Sequence, residues 1–189
     1  MLIAHPDDEA IFGFRDLVYN DVTVICMTNG DNSQRKSEFF ACMEYMRLKG
    51  YILSFVDSPT ETWLNKKIDD FYISDIKPLL KDKYEMVVSH GSDGEYGNVQ
   101  HTRVNMIGRN VAGELDIPFK CFRDRYRLSD IPTNLGTYTH LLEIYKSQKE
   151  ALAGLYNFFE NDNKKYKKNN GKVKEGEKPD RTLLMRPRV

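Results

Sequence analysis

The chain has 189 residues, 40% hydrophobic and 30% charged, a balance that suits one globular domain and excludes disordered, collagen-like and membrane-spanning classes. Its formal charge is zero but unevenly placed: from Lys164 onward there are ten Lys/Arg against three Asp/Glu, so an acidic body carries a basic tail. Apolar runs fall far short of the ~20 residues of a membrane helix, and no basic stretch leading into an apolar one opens the chain, so a cytoplasmic protein is expected. The three cysteines, Cys26, Cys42 and Cys121, read as buried free thiols in a reducing compartment. With no Cys-x-x-Cys pair, any metal site must be built from histidine and carboxylates.

In chain order, Leu2-Ile3-Ala4 is a short apolar run that stops at His5-Pro6-Asp7-Asp8-Glu9. Apolar residues at Ile11, Phe12, Phe14, Leu17 and Val18 then suit a helix. The β-branched run from Asp21 to Thr28 predicts a buried strand, and Asn29 to Ser33 a loop. A long helix is expected from Arg35 to Gly50, with Gly50 as its C-cap. Tyr51 to Val56 reads as the third strand, and Asp69 to Lys83 as a third helix bent near Pro78. Met86 to Ser89 is a fourth strand, followed by a glycine-rich loop from Gly91 to Gly97 and a helix from about His101 to Leu115. Phe119 to Arg123 is a fifth strand, and a last helical region spans about Tyr138 to Glu160.

Strands alternating with helices predict an α/β fold, a Rossmann-like, mostly parallel sheet sandwiched by helices. The expected domain is residues 1–160, with a basic, flexible, solvated tail over 161–189. In such sheets ligands bind beyond the carboxyl ends of the strands. Three segments fall there: His5 to Glu9 after the first strand, Asn29-Gly30-Asp31 after the second, and His90 to His101 after the fourth. His5 and Asp8, three residues apart across a helical first turn, can point an imidazole and a carboxylate at one centre, and a second histidine from another loop would complete the set. Two histidines and one carboxylate with open positions is the pattern of catalytic zinc. Asp7, between the ligands, can take the proton of a water activated by the metal, or can cap the helix that follows. Glu9 suits either the helix dipole or a buttress for His5.

The run Ala4-His5-Pro6-Asp7-Asp8-Glu9 resembles the signature of the PIG-L/LmbE-like superfamily of zinc-dependent N-acetylglucosaminyl deacetylases. Gly94-Glu95-Tyr96-Gly97-Asn98-Val99-Gln100-His101 is similar to the family's Gly-x-Tyr-Gly-His-x-x-His loop. Thr28-Asn29-Gly30-Asp31 with Arg35 and Glu38, and Tyr145-Lys146-Ser147-Gln148, resemble further family motifs. The resemblance implies His5, Asp8 and His101 as ligands of zinc, with ferrous iron or cobalt as other metals the site could take. It implies Asp7 as general base, Tyr96 over the substrate and helping the oxyanion, and Arg35 and Asp57 as substrate contacts. The expected reaction is hydrolysis of an N-acetyl group on an N-acetylglucosamine-type sugar, glycolipid or conjugate, giving acetate and a free amine.

Two positions depart from the pattern. Asn98 stands where relatives carry a histidine, and it donates a neutral hydrogen bond without supplying a proton. Gln100 replaces a common aspartate. Losing an oxyanion donor costs on the order of 10²–10³ in rate, and a substituted donor less, so slow activity is expected, with Tyr96, Asn98 and the metal sharing the oxyanion. The alternative is a catalytically impaired homologue that still binds metal and sugar. An iron oxygenase shares the ligand set, but its commonly β-rich folds and the Asp7-Asp8 pair argue against it. The absence of Gly-x-Gly-x-x-Gly after the first strand argues against dinucleotide binding. His90 and His140 read as structural or solvent-exposed, with His90 near enough the crevice to touch substrate. The expected partner is a small-molecule or glycan substrate. The basic tail is suited to peripheral contact with anionic lipid and has no specific nucleic-acid signal; no oligomeric state is legible.

Overall fold

The computed structural model describes residues 1–125 and 134–149, with the side chains of residues 124 and 125 left aside. These residues fall within one unit running from Met1 to Leu152. The expected basic tail, the distal part of the last helical region and the rest of the chain lie outside the described residues.

The expected α/β architecture is present. Three strands, β1 (Leu2–Ile3), β2 (Thr23–Thr28) and β3 (Lys49–Phe55), pair in that order, all parallel. Two more, β4 (Val87–Ser89) and β5 (Phe119–Cys121), form a second parallel pair. β4 meets β1 through side chains: Ser89 Oγ donates to the Leu2 carbonyl at 2.9 Å, and the Ala4 N–H donates to His90 Nε2 at 3.1 Å. The β1–β4 junction is therefore where the strand order reverses, the place where open parallel sheets leave a crevice.

Side-chain alternation along the strands sends Leu2, Ala4, Ile25 and Met27 to one face, where they pack with Trp63, Phe71, Ile76, Val104, Ile107 and Val111. Val104, Ile107 and Val111 repeat along helix α6 (Val99–Leu115) at the spacing that lines one face. Ile3, Val24 and Cys26 face the other way and are fully buried as well. Cys26, Cys42 and Cys121 are free thiols, the first two buried and Cys121 partly so.

Several boundaries move for identifiable reasons. The expected first helix is two short ones, α1 (Asp8–Ile11) and α2 (Phe14–Tyr19), broken at Gly13. Helix α3 spans Ser33–Met46, begins on the Asn32 side chain, and ends on Arg47 in the left-handed region at φ 56°. Gly50 is thus not its C-cap but a residue of β3, paired with Val24. Its missing side chain lets α3 pack down on the strand, because a Cβ there would meet Met43 Cγ at 2.5 Å and Phe39 Cε1 at 2.9 Å. The third helix shortens to α4 (Ile68–Phe71), a π turn at Tyr72–Ile76 and a 3-10 turn at Lys77–Leu79, and is extended by Leu80. Pro78, lacking an N–H, prevents regular α bonding from continuing.

A kinked turn, α5 (Gly94–Gly97), precedes α6, which starts two residues earlier than expected. β5 stops at Cys121, where the single turn α7 (Phe122–Arg125) begins. α8 (Leu135–Ile144) and a 3-10 turn at Lys146–Gln148 complete the described chain. Among the described residues no helix is long and apolar enough to cross a membrane.

Gly30 lies at the end of β2, its N–H donating to the Leu53 carbonyl at 2.9 Å. A Cβ there would come within 2.7 Å of Ser54 Oγ and 2.8 Å of the Leu53 carbonyl oxygen, both on the neighbouring strand. Gly30→Ala is expected to destabilise the fold by about 1–3 kcal/mol through overpacking, read as a lower urea midpoint with an unchanged slope.

Candidate metal and catalytic site

His5, Asp8 and His101 converge beyond the ends of β1 and β4. His5 ends the first strand, Asp8 opens α1, and His101 lies in the first turn of α6. His5 Nδ1 stands 3.2 Å from His101 Nε2 and 3.3 Å from Asp8 Oδ2, and His101 Nε2 is 3.4 Å from Asp8 Oδ1. Donors arranged tetrahedrally at the ~2.0–2.1 Å of zinc–nitrogen and zinc–oxygen bonds are about 3.3 Å apart, close to the separation of the two ring nitrogens and of each from one oxygen of the Asp8 carboxylate. The facing ring nitrogens make the same point, because two lone pairs at that distance repel unless a cation or proton lies between them. The residues fit a divalent metal of borderline softness. The donor set alone does not choose among zinc, iron and cobalt.

The groups around these donors set their protonation. Asp8 is buried, and burial alone would raise its pKa, but the charges and hydrogen bonds of His101, His90 and His5 outweigh this and hold it well below the usual range. Its Oδ2 also accepts the His5 N–H at 2.7 Å. For His101, burial pulls downward while Asp8 and Glu95 together raise it to about 9. For His5, burial again pulls downward, and Asp57 and Asp8 raise it well above its ordinary value. These are properties of the chain without a metal, whose arrival would displace the proton from the facing nitrogens.

His5 Nε2 faces the Gln100 amide at 2.7 Å and Asp57 Oδ1 at 3.3 Å. The amide satisfies different partners in its two orientations. With its oxygen toward the ring, it accepts Nε2–H and leaves the Nδ1 lone pair for a metal. Reversed, it donates to Asp57 at 3.0 Å and accepts the Ser58 N–H at 3.2 Å. A metal on Nδ1 selects the first. Asp57 is therefore engaged with His5 and with Asn29, whose Nδ2 donates at 3.1 Å, and its carboxyl is pulled down to about 2, first by the His5 hydrogen bond.

Asp7 occupies the N-cap position of α1, but its side chain makes no capping hydrogen bond, and its backbone sits at φ 119° and ψ −27°. A non-glycine residue rarely adopts a positive φ, and such strain collects at functional positions. The carboxylate instead faces Arg35, 3.5 Å away, whose guanidinium also donates to the Pro6 carbonyl. Burial and the Asp8 charge raise the Asp7 pKa well above normal against the opposing pull of Arg35.

Glu9 does not touch His5. Its Oε2 accepts the Asp7 N–H at 3.2 Å, and its Oε1 accepts the Tyr145 hydroxyl. Burial pushes its pKa up to about 7 against these hydrogen bonds. Nearby, Glu38 accepts the Ser147 N–H at 3.0 Å and hydroxyl at 2.5 Å, which ties the 3-10 turn after α8 to α3.

Tyr96 is 48% exposed at the mouth of the site, its ring 5.4 Å from that of His101. Asn98 caps α6: its Oδ1 accepts the N–H of Gln100 at 2.8 Å and of His101 at 3.3 Å, and its Nδ2 donates to Tyr96 Oη at 3.4 Å. The residue that replaces the family histidine thus holds the turn bearing His101, the second candidate ligand. His140 is away from the crevice, its ring tilted 44° against that of Tyr45 with centroids 4.3 Å apart.

Two participants were not assigned from the sequence. His90 is fully buried behind the donors, so it is out of reach of a substrate, and its Nε2 lies 3.2 Å from Asp8 Oδ2. Glu95 Oε2 accepts from His101 Nδ1 at 2.8 Å and His90 Nδ1 at 3.0 Å, and the charge and hydrogen bonds it gains outweigh burial to hold its carboxyl at about 2. The available signal was an acid between glycines in the loop just before the helix that carries His101. Phe12 and Phe122 wall the histidines in, with ring centroids 5.9 and 5.2 Å from His90.

Two stability effects are expected. Asn98→Ala removes the cap and lowers stability by about 1 kcal/mol, whereas Asn98→Asp retains it, as urea unfolding of the metal-free chain measures. For Glu9 the folded pKa of about 7 exceeds the ordinary 4.5. The unfolded chain therefore loses this proton first, and the group's contribution falls as pH rises between those values. Glu9→Gln should flatten that decline when unfolding midpoints are compared across the same pH range.

Residues 1–112 match a protein family described as PIG-L, GlcNAc-PI de-N-acetylase. The chain is 29% identical over 191 residues to an uncharacterized protein of Acanthamoeba polyphaga mimivirus, covering 91% of this chain and 81% of that protein. It is 30% identical over 164 residues to the 1D-myo-inositol 2-acetamido-2-deoxy-alpha-D-glucopyranoside deacetylase of two Corynebacterium glutamicum strains. That match covers 67% of this chain and 56% of each bacterial protein, so the chain spans little more than half their length.

Proposed function

Because the chain belongs to the PIG-L family, we propose that it is a metal-dependent N-deacetylase acting on an N-acetylglucosamine-type sugar or conjugate. The observation that carries this reading is the convergence of His5, Asp8 and His101 donors at 3.2–3.4 Å beside an Asp7 carboxylate that caps no helix. The corynebacterial relatives are named for removing the acetyl group of a glucosaminyl-inositol, which supports a sugar N-acetyl group as the class of substrate.

His5, Asp8 and His101 would hold the metal, with zinc first among the candidates. A divalent ion there supplies Lewis-acid activation of water and of the amide carbonyl. Asp7, with its raised pKa, takes the proton of the attacking water at a carboxylate oxygen and returns it to the departing amine nitrogen, so the amide and one water become acetate and a free amine. A base and acid tuned in this way contributes about 10²–10⁴ in rate. Arg35 orients Asp7 through their 3.5 Å contact and would contact the sugar substrate. The Tyr96 hydroxyl and Asn98 Nδ2, in contact with each other, would donate to the developing oxyanion.

One observation favours a second reading, an impaired homologue that binds metal and sugar. Asn98 has its oxygen committed to capping α6, and its amide carries no proton to transfer. The test is amine release from a panel of N-acetylglucosamine conjugates by zinc-loaded wild type, Asp7→Ala and Asn98→His. Release by wild type, lost on chelation, restored by metal and reduced at least ~10²-fold in Asp7→Ala, is the expected result. Release by Asn98→His alone would overturn it in favour of the impaired homologue.

A further inference from the structure

We propose that Glu95 is a positioning residue for the metal centre, a clamp that accepts the Nδ1 protons of His101 and His90 together and so aims the Nε2 lone pair of each ring. The inference rests on the metal-binding reading of His5, Asp8 and His101, and is independent of the reaction proposed for the site. Glu95 Oε2 lies 2.8 Å from His101 Nδ1 and 3.0 Å from His90 Nδ1, while Oε1 accepts the Gly91 N–H at 2.7 Å. The two imidazoles stack at 3.9 Å with only 20° between their planes, so their Nδ1 edges face the same carboxylate side by side.

The opposite edges fix the tautomers. The Ala4 N–H is buried in β1's continuation and has His90 Nε2 as its acceptor at 3.1 Å. A buried backbone donor left unpaired is avoided in native structures, so His90 Nε2 must keep its lone pair, and the ring's proton resides on Nδ1, against Glu95. The same carboxylate oxygen makes the same demand of His101, whose Nε2 lone pair is then free toward His5 and Asp8. A carboxylate behind a ligand histidine fixes ring orientation and raises ligand basicity.

The backbone is bent to deliver this side chain. Glu95 sits at φ 60° and ψ −61°, between Gly94 at φ 64° and Gly97 at φ 90°. Positive φ is uncommon for a side-chain-bearing residue, and here it turns the carboxylate inward, with its side chain 8% exposed. His90, Glu95 and His101 lie close enough to resemble a second metal set. The two Nδ1 protons occupy that space, so one metal per chain is expected.

The test compares zinc affinity of wild type, Glu95→Gln and Glu95→Asp by competition with a chromophoric chelator, with NMR of the histidine ring N–H protons in the zinc-loaded proteins. Gln keeps the volume but offers one acceptor oxygen to three N–H donors. The expected results are one zinc per wild-type chain, a loss of about 10–100-fold in affinity for Glu95→Gln, and carboxylate-bonded Nδ1–H resonances of His90 and His101 that shift or vanish in that variant. An affinity within about twofold of wild type overturns the proposal, as does a wild-type chain that takes no zinc or two. Should Glu95→Gln fail to fold, Glu95→Asp decides: a smaller loss is expected from its shorter reach, and no loss overturns the clamp. Since no deacetylation is read, absence of amine release by the wild type would leave this result standing.

Discussion

A single buried carboxylate, Asp8, sets the terms for the rest of the structure. It is 3% exposed, and an ionised carboxylate removed from water costs several kcal/mol unless it is paired and hydrogen-bonded. Compensation arrives from two directions. The end of β1 supplies the His5 N–H and imidazole, and the start of α6 supplies His101. The fold must therefore bring β1 and α6 to one point, and the apolar seam of Val104, Ile107 and Val111 packs α6 against Leu2 and Ala4 while Ser89 ties β4 to β1.

Around that anion the charges alternate in shells. Asp8 is faced by imidazoles, the imidazoles by Glu95 and Asp57, and these carboxylates in turn by backbone or amide N–H groups at Gly91 and Asn29. Four neighbouring acids are treated in two opposite ways. Asp8 and Glu95 are held ionised by their partners, while Asp7 and Glu9 are pushed toward the protonated form by burial. Environments that drive adjacent carboxyl groups apart in this way separate ligand roles from proton-carrying roles.

The loop carrying Asp7 and Asp8 also depends on residues far along the chain. Asp7's strained backbone is held by Glu9, Glu9 by Tyr145, and the turn after Tyr145 by Glu38 on α3. Strain of this kind persists only where surrounding contacts over-determine it. The Tyr145–Gln148 segment matters here as an anchor for the loop.

The sequence by itself determined the alternation of strands and helices and the strand ends at which chemistry could gather, because these are local properties, and its family resemblance singled out His5, Asp8 and His101 as candidate ligands. Periodicity marks β2 and α6, and His5, Asp7 and Asp8 are adjacent by covalent geometry. Only the tertiary structure decided what each side chain faces. Gly50 read as a helix cap is a strand residue under Met43, since its role depends on the packing of another element. Asp57, read as a substrate contact, is engaged with His5, and Asn98, read as an oxyanion donor, has its oxygen on the first turn of α6. Glu95 had an address in the sequence but no role, because a carboxylate acquires one only from the two imidazoles, five and six residues away in opposite directions, that a positive-φ turn folds back onto it. Hydrogen bonds are set by distance and angle in space, and spacing along the chain does not encode either once the backbone leaves a regular helix or strand.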